Sequence, residues 1–168
     1  MAVLLNQTSN LRLRLDLVQR LSDGVRAPAS LQMQVAVERY RAGAFEPVLL
    51  LEKATLLDMD LIQFLQAMEE LLDGRGGDPP QAALEASVDA VVGLRLLGGP
   101  EAYLVEIGVD LLNILEPIGG MLGERGTDLA LYRFQANQRA ALAFCAQLLA
   151  EFEKYPTDPG RIDPGSAT

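Results

Sequence analysis

A chain of 168 residues, 49% of them hydrophobic, has the size and apolar content of one domain with a real core, which excludes global disorder. Only 5% of residues are aromatic and none is Trp, so the core must be built mainly of Leu, Val and Ala. A net charge of −9 disfavours nucleic acid and anionic membranes and suits a basic partner, while the lack of His and the single cysteine, Cys145, exclude Ser-His-Asp or Cys-His catalysis within the chain and leave no route to a structural zinc site.

The charge is unevenly placed. Residues 1–42 hold six Arg against three acids, so the excess of negative charge lies beyond them. This Arg-containing part has no Lys cluster and little aromatic interleaving, and it reads as solvated strand faces rather than a nucleic-acid site. The start, Met1 to Asn6, carries no positive leader and its apolar run is too short for a signal peptide. With one cysteine and no stretch of about 18 apolar residues, a cytoplasmic protein is the expectation.

Leu11, Leu13, Leu15 and Leu17 alternate with Arg12, Arg14 and Asp16, the period of a half-buried strand. Asp23-Gly24 and Pro28 mark a turn, and alternation resumes through Leu31, Met33, Val35 and Val37. Gly43 and Pro47 bracket a loop before the short apolar run Val48–Leu51. The period then changes. Leu61, Phe64, Leu65, Met68, Leu71 and Leu72 define one face of an amphipathic helix near 59–73. Asp58 or Asp60 is placed to cap it, with Gln63 completing a capping box, and Gly74 stands where a left-handed C-cap belongs.

From Leu84 to Leu96 every second residue is apolar, Gly98-Gly99-Pro100 breaks the run, and Tyr103 to Leu111 alternates again, which predicts an antiparallel hairpin. Leu104, Ile107, Leu111, Leu112 and Leu115 also fit a helical face. Gly93, Gly108 and the Val content favour strands. A glycine-rich turn spans 117–126, a strand candidate covers Leu129–Phe134, and Asn137 opens a second helix near 138–155 with the face Ala141, Phe144, Cys145, Leu148, Leu149 and Phe152, which Pro156 ends. No internal repeat of fixed period stands out. The expected fold is α+β, a largely antiparallel sheet with two amphipathic helices on one face, over residues 1–156, with 157–168 as a disordered tail.

Few residues invite chemistry. Asp58-Met-Asp60 lacks the following Asx and Gly of a calcium loop and is better read as a helix cap. Gly119–Gly126 has glycines but no Gly-Lys-Ser/Thr, and a strand rather than a helix follows it, so it reads as a hairpin loop and not a phosphate cradle. Cys145 reads as a buried small hydrophobe. Neither a cofactor nor a metal is called for. Glu69, Glu70 and Asp73 give the first helix an acidic end against its own macrodipole, and they are the candidate partner-binding patch.

The helix Asp60–Leu72, the paired-strand region, the strand ending in Tyr132-Arg133-Phe134 and the closing helix ending in Lys154-Tyr155-Pro156 together resemble small bacterial immunity proteins of the WapI-like group, over about residues 45–156. The resemblance rests on apolar spacing and carries no functional residue over. It implies a protein that neutralises a toxin by binding it. A non-catalytic protein-binding domain for a basic partner is the functional expectation. A small-ligand binder or carboxylate-based enzyme, and a structural homo-oligomer, are the alternatives. Because residues 157–168 hold turn formers and almost no core side chains, deleting them should cost less than about 1 kcal/mol, which a thermal melt of the shortened chain checks.

Overall fold

The computed structural model describes residues 1–21, 29–75, 77–85, 91–99, 101–110 and 129–155. The alternating leucines form β2 (Leu11–Leu21), which pairs antiparallel with β1 (Ala2–Leu5) on one side and β3 (Ser30–Arg41) on the other. β4 (Ala44–Leu57) completes a sheet of order β1-β2-β3-β4. The register sets Leu13 against Val37, Leu15 against Val35 and Leu17 against Met33, all buried. Burying these cross-strand pairs fixes the register, because a slip of one residue would turn every leucine to the other face.

The opposite face of the same strands carries the charges. Arg12 faces Glu38 across the ladder, and Glu38 is only 6% exposed. Arg12 and Arg14 both form ion pairs with the Glu38 carboxylate, which compensates its desolvation. Arg12 also stacks 3.9 Å from the Phe45 ring centroid, and Phe45 meets Tyr40 edge to face. Pro47, expected to bound a loop, lies instead within the 14-residue β4. It is tolerated because β4 is an edge strand, and the register shifts where Glu38 opposes Pro47.

The second half repeats the plan. β5 (Gln81–Glu85), β6 (Val92–Gly99), β7 (Ala102–Asp110) and β8 (Leu129–Ala136) form a second antiparallel sheet in sequence order. The run read as continuous from Leu84 to Leu96 is two strands, β5 and β6, which pair with each other through Leu84 and Leu94. Alternation alone could not reveal the reversal, because both strands bury the same apolar phase. The hairpin around Gly98-Gly99 is present as β6 and β7. Gly98 has φ +114°, and a Cβ there would meet the Ala102 carbonyl oxygen at 2.8 Å. Strands rather than helix prevail over 92–99 and 102–110. The turn near 23–28, the glycine-rich 117–126, Pro156 and the tail 157–168 lie outside the described residues.

One helix follows each sheet: α1 (Asp58–Leu72) and α2 (Gln138–Phe152). Asp60 accepts the Leu57 N–H at 2.9 Å, so the capping pair is Asp60 with Leu57 and not Asp60 with Gln63. Asp58 is engaged by Arg20. At the other end, Gly74 takes φ +71°, and the N–H groups of Gly74 and Arg75 return to the carbonyls of Leu71 and Glu70, a Schellman motif. Asn137 caps α2 by accepting the Ala140 N–H at 2.9 Å.

The fold is α+β, with its antiparallel strands divided between two four-stranded sheets. Among the described residues the order ββββα occurs twice, and in the first strand and the helix of each half equivalent positions lie eighty residues apart: Ala2 and Ala82, Leu4 and Leu84, Phe64 and Phe144, Met68 and Leu148, all buried. Each helix packs on the other half, α1 against β5 and α2 against β1. Side chains from both sheets and both helices therefore share one core. If Phe64 and Phe144 are equivalent keystones of that core, Phe64→Ala and Phe144→Ala should each cost about 3–5 kcal/mol. Urea unfolding of the two variants checks both the size and the similarity of the losses.

Candidate functional site

The two helices lie side by side, and a second polar clamp fixes how. The Arg20 guanidinium donates to the Asp58 carboxylate at the start of α1 and to the Tyr155 carbonyl just beyond α2. The Tyr155 hydroxyl donates back to the β2 carbonyls of Leu17 and Val18, at 2.8 and 3.0 Å. The beginning of α1 is thus held beside the end of α2, and the helices run in opposite senses.

Each helix is apolar over more than the stripe it buries. In α1, Leu61, Phe64, Met68 and Leu71 face the core. At about 100° per residue, Ile62, Leu65, Gln66, Glu69, Leu72 and Asp73 form a neighbouring stripe turned by roughly 120°. In α2, Ala141, Phe144 and Leu148 are buried, and Leu142, Cys145, Ala146, Leu149 and Phe152 occupy the matching second stripe. These second stripes face one another across an open groove of about 460 Å³. Leu142 and Leu149, two turns apart on the same face of α2, are 50% and 46% exposed, large values for aliphatic side chains.

The groove walls differ in charge. Every lining residue of α2 is apolar or small, whereas α1 contributes Gln66, Glu69 and Asp73. Helix α1 contains no basic residue at all. Of the candidate patch, Glu69 and Asp73 line the groove and Glu70 does not, although all three act on Arg75. Arg75 donates to Asp73 at 2.6 Å, and that hydrogen bond, followed by the charges of Asp73, Glu69 and Glu70, raises the guanidinium above its ordinary value.

Cys145 is not fully buried as expected; it is half-buried in the groove wall. Burial pushes its thiol up, and the nearby Glu69 carboxylate pushes it further. The apolar lining residues were missed as a site because each reads as ordinary core in a helical pattern. The available signal was the width of the apolar face, since Ile62, Leu142 and Leu149 extend it beyond one stripe.

Among the described residues, no group of three Cys, Asp or Glu side chains is gathered closely enough to hold a metal ion, and no helix is long and apolar enough to cross a membrane. No family model, no curated protein and no solved structure matches this chain.

The raised Cys145 thiol gives the groove a measurable signature. Glu69→Gln removes the charge contribution, so the pH profile of iodoacetamide alkylation should move to lower pH while staying above that of a free thiol, because burial remains the larger cause. The folded chain also keeps this proton at pH values where the unfolded chain has lost it. Stability should therefore fall as pH rises past about 8.5, and this component should vanish in Cys145→Ala.

Proposed function

We propose that this chain is a protein-binding domain that holds an apolar, positively charged segment of a partner in the groove between α1 and α2. The observation that carries this reading is the pairing of two walls, one aliphatic with Leu142 and Leu149 half exposed, the other edged by Glu69 and Asp73. Apolar contact would supply most of the affinity, and the acidic edge would act mainly on encounter rate and on rejection of acidic partners. The acidity of the whole chain acts in the same direction.

An immunity-type inhibitor that sequesters a basic toxin segment is the form of this function that the WapI-like resemblance implies. The carboxylate-enzyme alternative finds less support, because the groove lining gathers two acids with no cationic side chain among them. The homo-oligomer alternative finds less support at this surface too. Two copies meeting groove to groove would bring Glu69 and Asp73 either against like charges or against the apolar α2 wall, and neither contact offers them a cation.

The test is affinity capture with the wild type and with Leu142→Ser/Leu149→Ser, two exposed positions where substitution should leave folding intact. The expected result is a basic partner that slows alkylation of Cys145 and is lost with the double variant. A partner that is acidic, that leaves Cys145 alkylation unchanged, or that binds the double variant equally well would overturn the reading.

A further inference from the structure

Resting on the groove as a protein-binding site, we infer that its occupant is an amphipathic α-helix carrying two Lys or Arg residues spaced i,i+4 along one edge. The first argument is hydrogen bonding. Both walls of the groove are helices whose backbone groups are already used internally, so the groove offers no free strand edge. An extended segment laid there would bury its own N–H and C=O groups without partners, whereas a helix brings its hydrogen bonds with it.

The second argument is dimension. The lining residues of α1 run from Ile62 to Asp73, which at 1.5 Å per residue is roughly 16 Å, or three turns of a helix lying alongside. Three turns present apolar anchors at i, i+3 or i+4, and i+7, a stripe as long as the apolar wall that runs from Leu142 to Phe152.

The third argument is charge. Glu69 and Asp73 are themselves spaced i,i+4, so their carboxylates stand one turn apart on a single edge. A partner helix with its apolar stripe on the α2 wall places one flank against this edge, and two cations one turn apart match it. Asp73 is already held by Arg75, in an exposed pair on the same edge. Arg75 is therefore a resident competitor that an incoming cation displaces, and it sets a ceiling on affinity. A second copy of this chain is a poorer occupant. Neither α1 nor α2 exposes such a basic pair: α1 has no basic residue, and α2 has Arg139 alone.

The experiment uses the full chain and three synthetic 18-residue peptides of one composition. The first has Leu at helical spacing with a Lys pair at i,i+4 on one flank of the stripe. The second has the pair moved to the face opposite the stripe, and the third has at its centre the Pro that the other two carry as their first residue. Dissociation constants come from fluorescence anisotropy, with Cys145 alkylation as the footprint of groove occupancy. The first peptide is expected to bind on the order of tenfold more tightly than either control and to slow alkylation. Its binding should weaken by about tenfold in Glu69→Lys/Asp73→Lys and strengthen severalfold in Arg75→Ala. Equal binding of the three peptides with Cys145 still protected would overturn the helical, charge-matched occupant while leaving the groove as a protein site. No protection of Cys145 by any peptide or by a captured partner would overturn the groove reading itself. A concentration-dependent dimer in sedimentation with Cys145 shielded would replace both with self-association.

Discussion

The structure depends on an exchange: each helix follows the sheet of its own half but packs against the edge strand of the other, α1 on β5 and α2 on β1. A four-stranded meander followed by one helix leaves an edge strand open and cannot by itself enclose the apolar faces it presents. Crossing the helices covers β1 and β5 at once. At β1 the cover is polar as well as apolar, since Gln147 of α2 accepts the Val3 N–H at 2.8 Å. The two halves then bury one continuous core, so neither half is an independent unit. The exchange also forces the helices together on the same side of the molecule, and the groove follows from that placement.

Charge holds this arrangement in register. Arg20 leaves β2 and engages both the start of α1 and the chain just past α2, while Tyr155 returns to β2 through its hydroxyl. One guanidinium thus ties three elements that are distant in sequence. Arg20 is partly buried, and its cost of desolvation is met by a carboxylate and a carbonyl. The helices are consequently fixed relative to each other before anything enters the groove. A partner would then meet a preformed surface and lose less of its contact energy to ordering it.

Much of this was legible in the chain. Period-two apolar residues marked β2 and β3, the change to a 3.6-residue period marked both helices, and Gly74 and Asn137 marked a helix end and a helix start. What escaped has physical causes. The strand at Ala2–Leu5 is four residues long and lacks a full alternation. The reversal between β5 and β6 keeps the apolar phase, so Leu84 to Leu96 looked like one strand. Pro47 signals a loop in most contexts and is accommodated only because β4 is an edge. The duplication was hidden because the halves share burial pattern more than identity: Leu61 is matched by Ala141, Leu65 by Cys145 and Leu72 by Phe152. Glu69 and Asp73 were identifiable as an acidic helix end, but their place on a groove wall depends on the exchange of helices, a long-range contact with no local signature.

The duplication gives the groove its meaning. In a perfectly repeated molecule the two walls would be identical, and a symmetric groove would favour a symmetric occupant, such as a second copy of the chain. Here the equivalent positions that face the core remain apolar on both sides, Phe64 with Phe144 and Met68 with Leu148. Among the equivalent positions that face the groove, Ile62 with Leu142, Leu65 with Cys145 and Leu72 with Phe152 also stay apolar, and two pairs have separated in character. Gln66 stands against Ala146 and Glu69 against Leu149, polar or acidic on α1 and apolar on α2. Packing explains the sameness of the first set, because a shared core penalises any polar replacement. Nothing in the packing demands the difference in the second set, since both stripes are open to solvent. An asymmetric pair of walls in a symmetric frame breaks the equivalence of the two ways in which an occupant could lie. On the proposed function, such walls would favour a ligand that is itself two-sided, apolar along one flank and cationic along the other.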